Sequence, residues 1–577
     1  MAARAVRPTR LDLTLHVALV VLAVIALVMT MWLAVCSELR TDEFTYAHAA
    51  WLIAQGQEPY RDFFLHHFPL SMQLGSLILS PGSEPADIIH LRYLMVPFWL
   101  ITVFAAAAIN LRRDRWAALF VVLFLLLMDR WAEYATEFRP DATATPLFLF
   151  SLFLATRRST RPRLQGFLAG LLLAAAVWAS QKVLVYGAVI PAAWLVDIAW
   201  NKRRHGPTLL VAPWSVILGA VAGAVPALVY LTSTNNWRPF WESCFEWALV
   251  HETVYPPFSA FHYMNKVVYH SSWILALAFA EAGFVVFGIL RSRSNWCHHP
   301  DLILIACLAS TWTSHAIQQA PYSWSLVPFL AIVAILGARG AARGLAWSSK
   351  IKLHRVQYAV KVVLIVIPAA QLAYLGGRTY QMALTNEHQL ESLRLLDELT
   401  DVADPIYDNT GRYVARPHVH PMFFTDKTVR IALASKLARE MPGAILNKGA
   451  PVFMRDKRVH GLPDSLKRFL SRHYQPLTRD IWIWGQALQL APSACGSYYA
   501  IRDGHYYLYP ADILQRGSLW IDEKAIEEPT FWLTKGSHRV QWEGPDTSSF
   551  HLLWLPRNRR RYNPILGMGL NGRPTQL

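Results

Sequence analysis

The chain has 577 residues, 54% of them hydrophobic and only 16% charged. Its formal net charge is +16, but the basic residues come in short groups between apolar runs. They form no continuous basic face, which argues against a nucleic-acid partner and makes them topology signals of a membrane protein. Five cysteines are scattered without C-x-x-C spacing, so no thiolate metal centre is indicated, and a Cys244–Cys495 disulfide is left open.

The first predicted element is the uncharged apolar run at 15–36. It is long enough to span about 30 Å of hydrocarbon and exceeds the ~7–15 residue apolar core of a signal peptide. Arg4, Arg7 and Arg10 precede it and Asp42-Glu43 follow it, so the N-terminus is expected in the cytoplasm and the acidic pair on the outer side. Further apolar runs lie near 90–110, 116–128, 142–155, 164–179, 183–199, 209–231, 271–290, 302–317, 323–338 and 357–376, about eleven spans in all. The connections alternate in charge. Arg112/Arg113/Arg115, Arg157/Arg158/Arg161/Arg163, Lys202/Arg203/Arg204, Arg291/Arg293 and Arg339/Arg343/Lys350/Lys352/Arg355 fall on the N-terminal side. The alternate loops, 37–88, 129–140, 180–182 and 232–270, carry the acids.

An odd number of spans places 377–577 outside, which divides the chain into a membrane domain at 1–376 and a C-terminal extracytoplasmic domain. Within the latter, Glu387–Leu399 has the leucine spacing of an amphipathic helix. Alternating segments at 497–501, 506–508, 518–521, 530–533 and 539–542, punctuated by glycines, predict strands. The expected fold is a polytopic α-helical membrane protein with a C-terminal extracytoplasmic α+β domain that includes a small β-sandwich-like module near 485–557.

The first outer loop reads Asp42-Glu43-x-x-Tyr46, then Gly56-x-x-Pro59-Tyr60-x-Asp62-Phe63, then His66-His67-x-Pro69-Leu70. This order resembles the GT-C membrane glycosyltransferases, in particular the branch of the protein O-mannosyltransferases and the lipid A aminoarabinose transferase. Arg139-Pro140-Asp141, Gln181-Lys182, Gln318-Gln319-Ala320-Pro321-Tyr322 and, in the outer domain, Asp404-Pro405-Ile406-Tyr407-Asp408 with Arg416-Pro417-His418 are similar to further family segments. The resemblance implies an enzyme of the bacterial inner membrane. Such an enzyme transfers a sugar from a polyprenyl-phosphate donor to an acceptor hydroxyl on a glycan, lipid or protein at the outer face.

By that resemblance Asp42 is the general base that takes the acceptor's proton, with Glu43 orienting the acceptor or a metal. The competing reading makes Asp42 the N-cap of the helix that follows. The departing lipid phosphate calls for fixed cations. Lys182 and Arg139 are the leading candidates, Arg61 and Arg40 further ones, and headgroup snorkelling is the alternative for each. Phe68 stands before Pro69 where the aminoarabinose transferase has a phosphate-binding lysine. His66 and His67 are therefore candidates to donate to the phosphate or to hold a divalent metal, the one cofactor the sequence admits.

Asp141 either pairs with Arg139 or contacts the acceptor as a second acid. Tyr46, Tyr60, Asp62, His251 and Glu252 complete the candidate substrate-binding set. Trp237, Trp241, Trp247, Tyr255, Phe258 and Tyr263 form either an interfacial belt or a loop that closes over the donor. No nucleotide-binding glycine motif occurs. A transporter or flippase of lipid-linked saccharides is the rival class, and the absence of an internal repeat argues against it. The basic tail Arg557, Arg559, Arg560 and Arg561 is either solvated or in contact with anionic headgroups.

Overall fold

The computed structural model describes residues 10–157, 160–193, 195, 213–254, 259–291, 301–318, 321–382 and 385–556. Arg4, Arg7, Arg158, the Lys202/Arg203/Arg204 group, Arg293, Gln319, Ala320, Tyr255, Phe258 and the arginine tail lie outside them, as do the side chains of His251 and Glu252.

Each apolar run before residue 376 that falls on described residues is helical. Among the described residues seven helical segments are long and apolar enough to cross a membrane: Asp12–Cys36, Pro85–Leu111, Pro162–Ala179, Trp214–Ser233, Val267–Arg291, Ser323–Ser348 and His354–Arg378. The chain is thus a multi-pass membrane protein. Four further apolar helices, Arg115–Leu127, Pro140–Ala155, Val183–Ala193 and Leu302–Ala316, are shorter than a straight span requires, so a count of eleven spans is not established. One cause is local. Met128 leaves helical geometry at φ −82°, ψ 95°, and Asp129 opens a separate short helix, Asp129–Ala135.

The central helix is Val327–Ser348; 94% of its apolar window is buried within the protein. Small residues allow backbones to meet where membrane helices have little hydrophobic drive to associate. A Cβ on Gly219 would lie 1.9 Å from the Phe167 carbonyl oxygen, which sets how closely Pro213–Ser233 packs on Pro162–Ala179.

The amphipathic helix expected at Glu387–Leu399 is present, with Leu393, Leu396 and Leu399 buried. Beyond it lie β1 (Ile406–Tyr407), β2 (Val452–Met454), β3 (Tyr474–Pro476), β4 (Ile481–Leu490), β5 (Cys495–Ala500), β6 (Gly504–Tyr509), β7 (Ser518–Ile521), β8 (Lys524–Ile526), β9 (Thr530–Leu533), β10 (Gly536–Glu543) and β11 (Ser548–Trp554). One sheet runs β1-β2-β4-β11-β6-β9 with β3 also paired to β4, and the second runs β5-β10-β7-β8. Their inner faces meet through Tyr498 on Tyr506 and Trp542 on Phe550, at ring distances of 5.7 and 6.4 Å. The five strands expected from the sequence are present, and the larger sheet reaches back to residue 406, well before 485. Cys244 and Cys495 are separate free thiols.

The loop at 37–88 is docked on this C-terminal region, and residues of both belong to one apolar core. The Thr45 hydroxyl donates to the Thr410 carbonyl at 2.9 Å, and the Phe64 N–H to the Pro421 carbonyl at 3.1 Å. Gly411 sits at φ +76°, where a Cβ would lie 2.9 Å from Cβ of His48. Glycine is required there both for the left-handed backbone and for the close approach.

Candidate active site

The first membrane helix ends at Cys36, and a second helix, Thr41–Ala54, begins five residues later. Its N-cap is Arg40, so Asp42 is not the cap; it lies in the first helical turn, where the exposed N–H groups favour a carboxylate. Adjacent residues on a helix point in different directions, and here they meet different surroundings. The Glu43 side chain is 1% exposed and receives Arg92 through Nε at 2.8 Å and Nη2 at 2.7 Å. It also accepts the backbone N–H of Arg40 at 2.9 Å and of Phe138 at 3.3 Å. Burial alone would raise its pKa; Arg92 overrides this and holds it below the usual carboxylate value. The remaining Arg92 N–H groups donate to the carbonyls of Ala34, Ser37 and Glu38, satisfying the open end of the first membrane helix.

Asp42 instead is only partly buried. Its side chain is 22% exposed, and its Oδ2 lies 3.1 Å from Nη2 of Arg139. Arg139 is the extended N-cap of Pro140–Ala155, and Pro140 supplies a first helical residue whose missing N–H costs nothing. The Arg139 side chain is 3% exposed. Its Nε lies 2.9 Å from Glu137 Oε2 without hydrogen-bond alignment, and its guanidinium lies 4.7 Å from the Trp324 ring centre. Among the described residues its Nη1 is buried with no hydrogen-bond partner, an orphaned cationic donor of a kind folded proteins rarely keep without use. Burial pushes the Glu137 carboxyl up to about 8, against the pull of Arg139 and with repulsion from Glu43 and Glu133.

The second ion pair joins Lys182 to Asp141, at 2.6 Å between Nζ and Oδ2. The Ser180 hydroxyl donates to the other Asp141 oxygen at 3.0 Å. Asp141 therefore pairs with Lys182, and among the described residues Arg139 pairs with Asp42 and Glu137. The Lys182 side chain is 18% exposed. The buried Tyr46 phenol senses both pairs. Burial raises its phenol well above the ordinary value, Asp42, Asp141 and Glu137 add to the effect, and Arg139 opposes it. His67 is edge-on to Tyr46 at 5.5 Å, and its imidazole is held well below its ordinary value by burial, then by His66, Lys182 and Arg139. Both cations thus bear on this one imidazole.

The structure brings together Asp42, Arg139, Asp141, Lys182, Tyr46 and His67. His66 lies beside His67, with ring centres 4.2 Å apart, and stacks on Phe424 of the C-terminal region. Among the described residues no group of three or more His, Cys, Asp or Glu side chains converges as a metal-ligand set. The Tyr60 hydroxyl donates to the His67 carbonyl at 2.9 Å, from a left-handed backbone at φ +70°. Arg61 and Asp62 pair with each other at the surface at 2.9 Å. Arg40 contacts Glu133 and lies 3.7 Å from Glu137. His251 and Glu252 sit on Trp247–Val254. Within the aromatic loop, Trp247 packs on Phe64 while Trp237 and Trp241 are exposed.

Sequence reasoning missed Arg92, Glu137, Ser180 and Trp324 as parts of this arrangement. Arg92 had a signal, since a cation inside the apolar run 90–110 must find a partner. Trp324 had none, because a ring that covers a guanidinium from a distant loop leaves no local pattern.

No family model matches the chain, and no curated protein matches its sequence. In three dimensions it is similar to ArnT from Cupriavidus metallidurans bound to undecaprenyl phosphate, with 15% identity, 81% of this chain and 97% of that chain covered, and a TM-score of 0.52. The apo state of the same protein gives 15% identity, the same coverage and a TM-score of 0.53. The apo oligosaccharyltransferase of Archaeoglobus fulgidus is more distant, with 12% identity, 80% and 72% coverage and a TM-score of 0.43. The chain has the GT-C membrane fold, that of the lipid A aminoarabinose transferase.

Proposed function

We propose that the protein is a membrane glycosyltransferase that moves a sugar from a polyprenyl-phosphate-linked donor to an acceptor hydroxyl on a glycan, lipid or protein. The reading puts it in a bacterial inner membrane with the N-terminus cytoplasmic, 1–376 as the membrane catalytic domain and 377–577 as the outer domain. The observation that carries it is a partly exposed Asp42 carboxylate held at 3.1 Å by buried Arg139, beside a partly exposed Lys182 paired with Asp141 at 2.6 Å. That the similar ArnT structure holds undecaprenyl phosphate supports the class of donor.

In this reading the acceptor oxygen bonds to the anomeric carbon while the carbon–oxygen bond to the lipid phosphate breaks. Asp42 takes the acceptor's proton. The orphaned Nη1 of Arg139 and the Lys182 ammonium receive the charge that develops on the phosphate, in a site where most of the surrounding side chains are shielded from water. Asp141 and Ser180 aim Lys182, and a Glu137 carboxyl neutral at pH 7 leaves more of the Arg139 charge for Asp42 and phosphate. Glu43, saturated by Arg92, is assigned to holding Asp42's helix against the first membrane helix.

The test is transfer by the purified full chain from a panel of radiolabelled polyprenyl-phosphate sugars, with polyprenyl phosphate and glycosylated acceptor as products. Movement of saccharide across liposomes without transfer from any donor would replace this reading with the transporter.

A further inference from the structure

The larger sheet of the C-terminal region turns a row of rings away from the sandwich. Alternation along β6 sends Tyr506 and Leu508 inward and His505, Tyr507 and Tyr509 outward. On one side β9 sets Trp532 across from His505, edge to face with ring centres 5.2 Å apart; on the other β11 sets His551 across from Tyr509. Trp532 is 58% exposed and Tyr509 37%, while His505 is exposed and Tyr507 and His551 are half-buried. At ~3.4 Å per residue the row from His505 to Tyr509 is about 14 Å long, room for about two or three linked sugar rings. Large rings grouped on an exposed face mark a place where something binds.

Charge selects the occupant. No residue of β4, β6, β9 or β11 is Asp, Glu, Lys or Arg, in a chain whose net charge is +16. These strands therefore offer no counter-charge to a nucleic acid, an anionic headgroup or an ionic peptide. The smaller sheet differs: Lys524, Arg539 and Glu543 lie on its strands, and its Trp520 donates to Glu543 Oε2 at 2.9 Å. An uncharged sugar suits the larger sheet because it has two sides. Its C–H face stacks on an aromatic ring, and its hydroxyl rim exchanges hydrogen bonds with polar side chains. Such side chains are at hand in His505 beside Trp532 and in Gln489 and Ser549, exposed and opposite each other on β4 and β11.

We propose that this face binds a neutral glycan chain, with sugar rings lying on Trp532 and Tyr509 and hydroxyl groups meeting His505, Gln489 and Ser549. The platform carries no transfer chemistry, so it stands or falls apart from the glycosyltransferase reading above.

The experiment places the full chain, in lipid nanodiscs, on an array of immobilised short oligosaccharides, neutral ones beside uronate- and sulfate-bearing ones. Neutral members are expected to be held, and Trp532→Ala and, independently, Tyr509→Ala to weaken that binding by about ten-fold, the loss of a central aromatic anchor. Trp520→Ala, on the smaller sheet, should bind as wild type, with thermal unfolding reporting that each variant is folded. Hydroxyl-radical footprinting with the oligosaccharide held most tightly should then protect Trp532 and Tyr509 and leave Trp520 as reactive as before. Binding to no neutral member, preference for the acidic ones, or binding unchanged in both platform variants would overturn the proposal. So would Trp532 and Tyr509 already protected in the nanodisc before any glycan is added, which would give the face to the bilayer or to a second copy of the chain.

Discussion

Two charged clusters flank the ends of the helix Ile88–Leu111, and they differ in what they leave open. At its C-terminal end Asp301 is gripped by Arg113 and Arg339, Arg339 donates to Asn110 Oδ1 at 2.7 Å, and Asn110 donates to the carbonyls of Ile335 and Ala117. No side-chain polar atom of Asn110, Asp301 or Arg339 is left buried without a partner. At the other end Arg92 and Glu43 make a similarly closed pair, but beside it Asp42 and Lys182 remain partly exposed and Arg139 keeps an unsatisfied N–H group. Buried ion pairs by themselves are weak evidence of function. What separates an anchor from a site is unused hydrogen-bonding capacity next to accessible charge.

That contrast can be broken by substitution. Asp42→Asn keeps the shape and removes the base, and transfer per folded molecule should fall by about 10²–10⁴-fold. Arg139→Gln should cost ~10²–10³-fold in kcat through lost stabilisation of the leaving phosphate, measured with saturating donor. Asp301→Asn, at the closed cluster, should act on stability alone. Leaving a buried guanidinium without its counter-charge costs about 3–5 kcal/mol, so its Tm should drop while transfer per folded molecule stays near that of wild type.

The smallest effect concerns pH. Glu137 titrates near 8 in the fold against an ordinary 4.5, so across that window the folded protein holds a proton that the unfolded chain releases. Stability should fall as pH rises through it, and Glu137→Gln should flatten the slope in Tm measured from pH 5 to 9. An unchanged slope would mean that Arg139 already keeps Glu137 ionised.

Much of this was legible in the sequence because membrane helices declare themselves by composition, as the long runs ending at Cys36 and Leu111 do. The count of spans was less legible: the break at Met128 has no proline or glycine beside it. In the C-terminal region, the strands bounded by glycines were readable, whereas Ile481-Trp482-Ile483-Trp484 is buried on both faces and shows no alternation. Asp42, Arg139, Asp141 and Lys182 were visible as charges at span ends. Their pairing was not, since which carboxylate meets which cation is set by how helices far apart in sequence cross.

The most direct measurement compares Asp42→Asn with Glu43→Gln, neighbours in sequence, in one transfer assay normalised to folded protein. The account predicts that Asp42→Asn lowers transfer per folded molecule by the full range of about 10²–10⁴-fold, with Tm also lowered because buried Arg139 loses its counter-charge, while Glu43→Gln lowers Tm and leaves transfer per folded molecule near wild type. Transfer kept by Asp42→Asn and lost by a fully stable Glu43→Gln would contradict it.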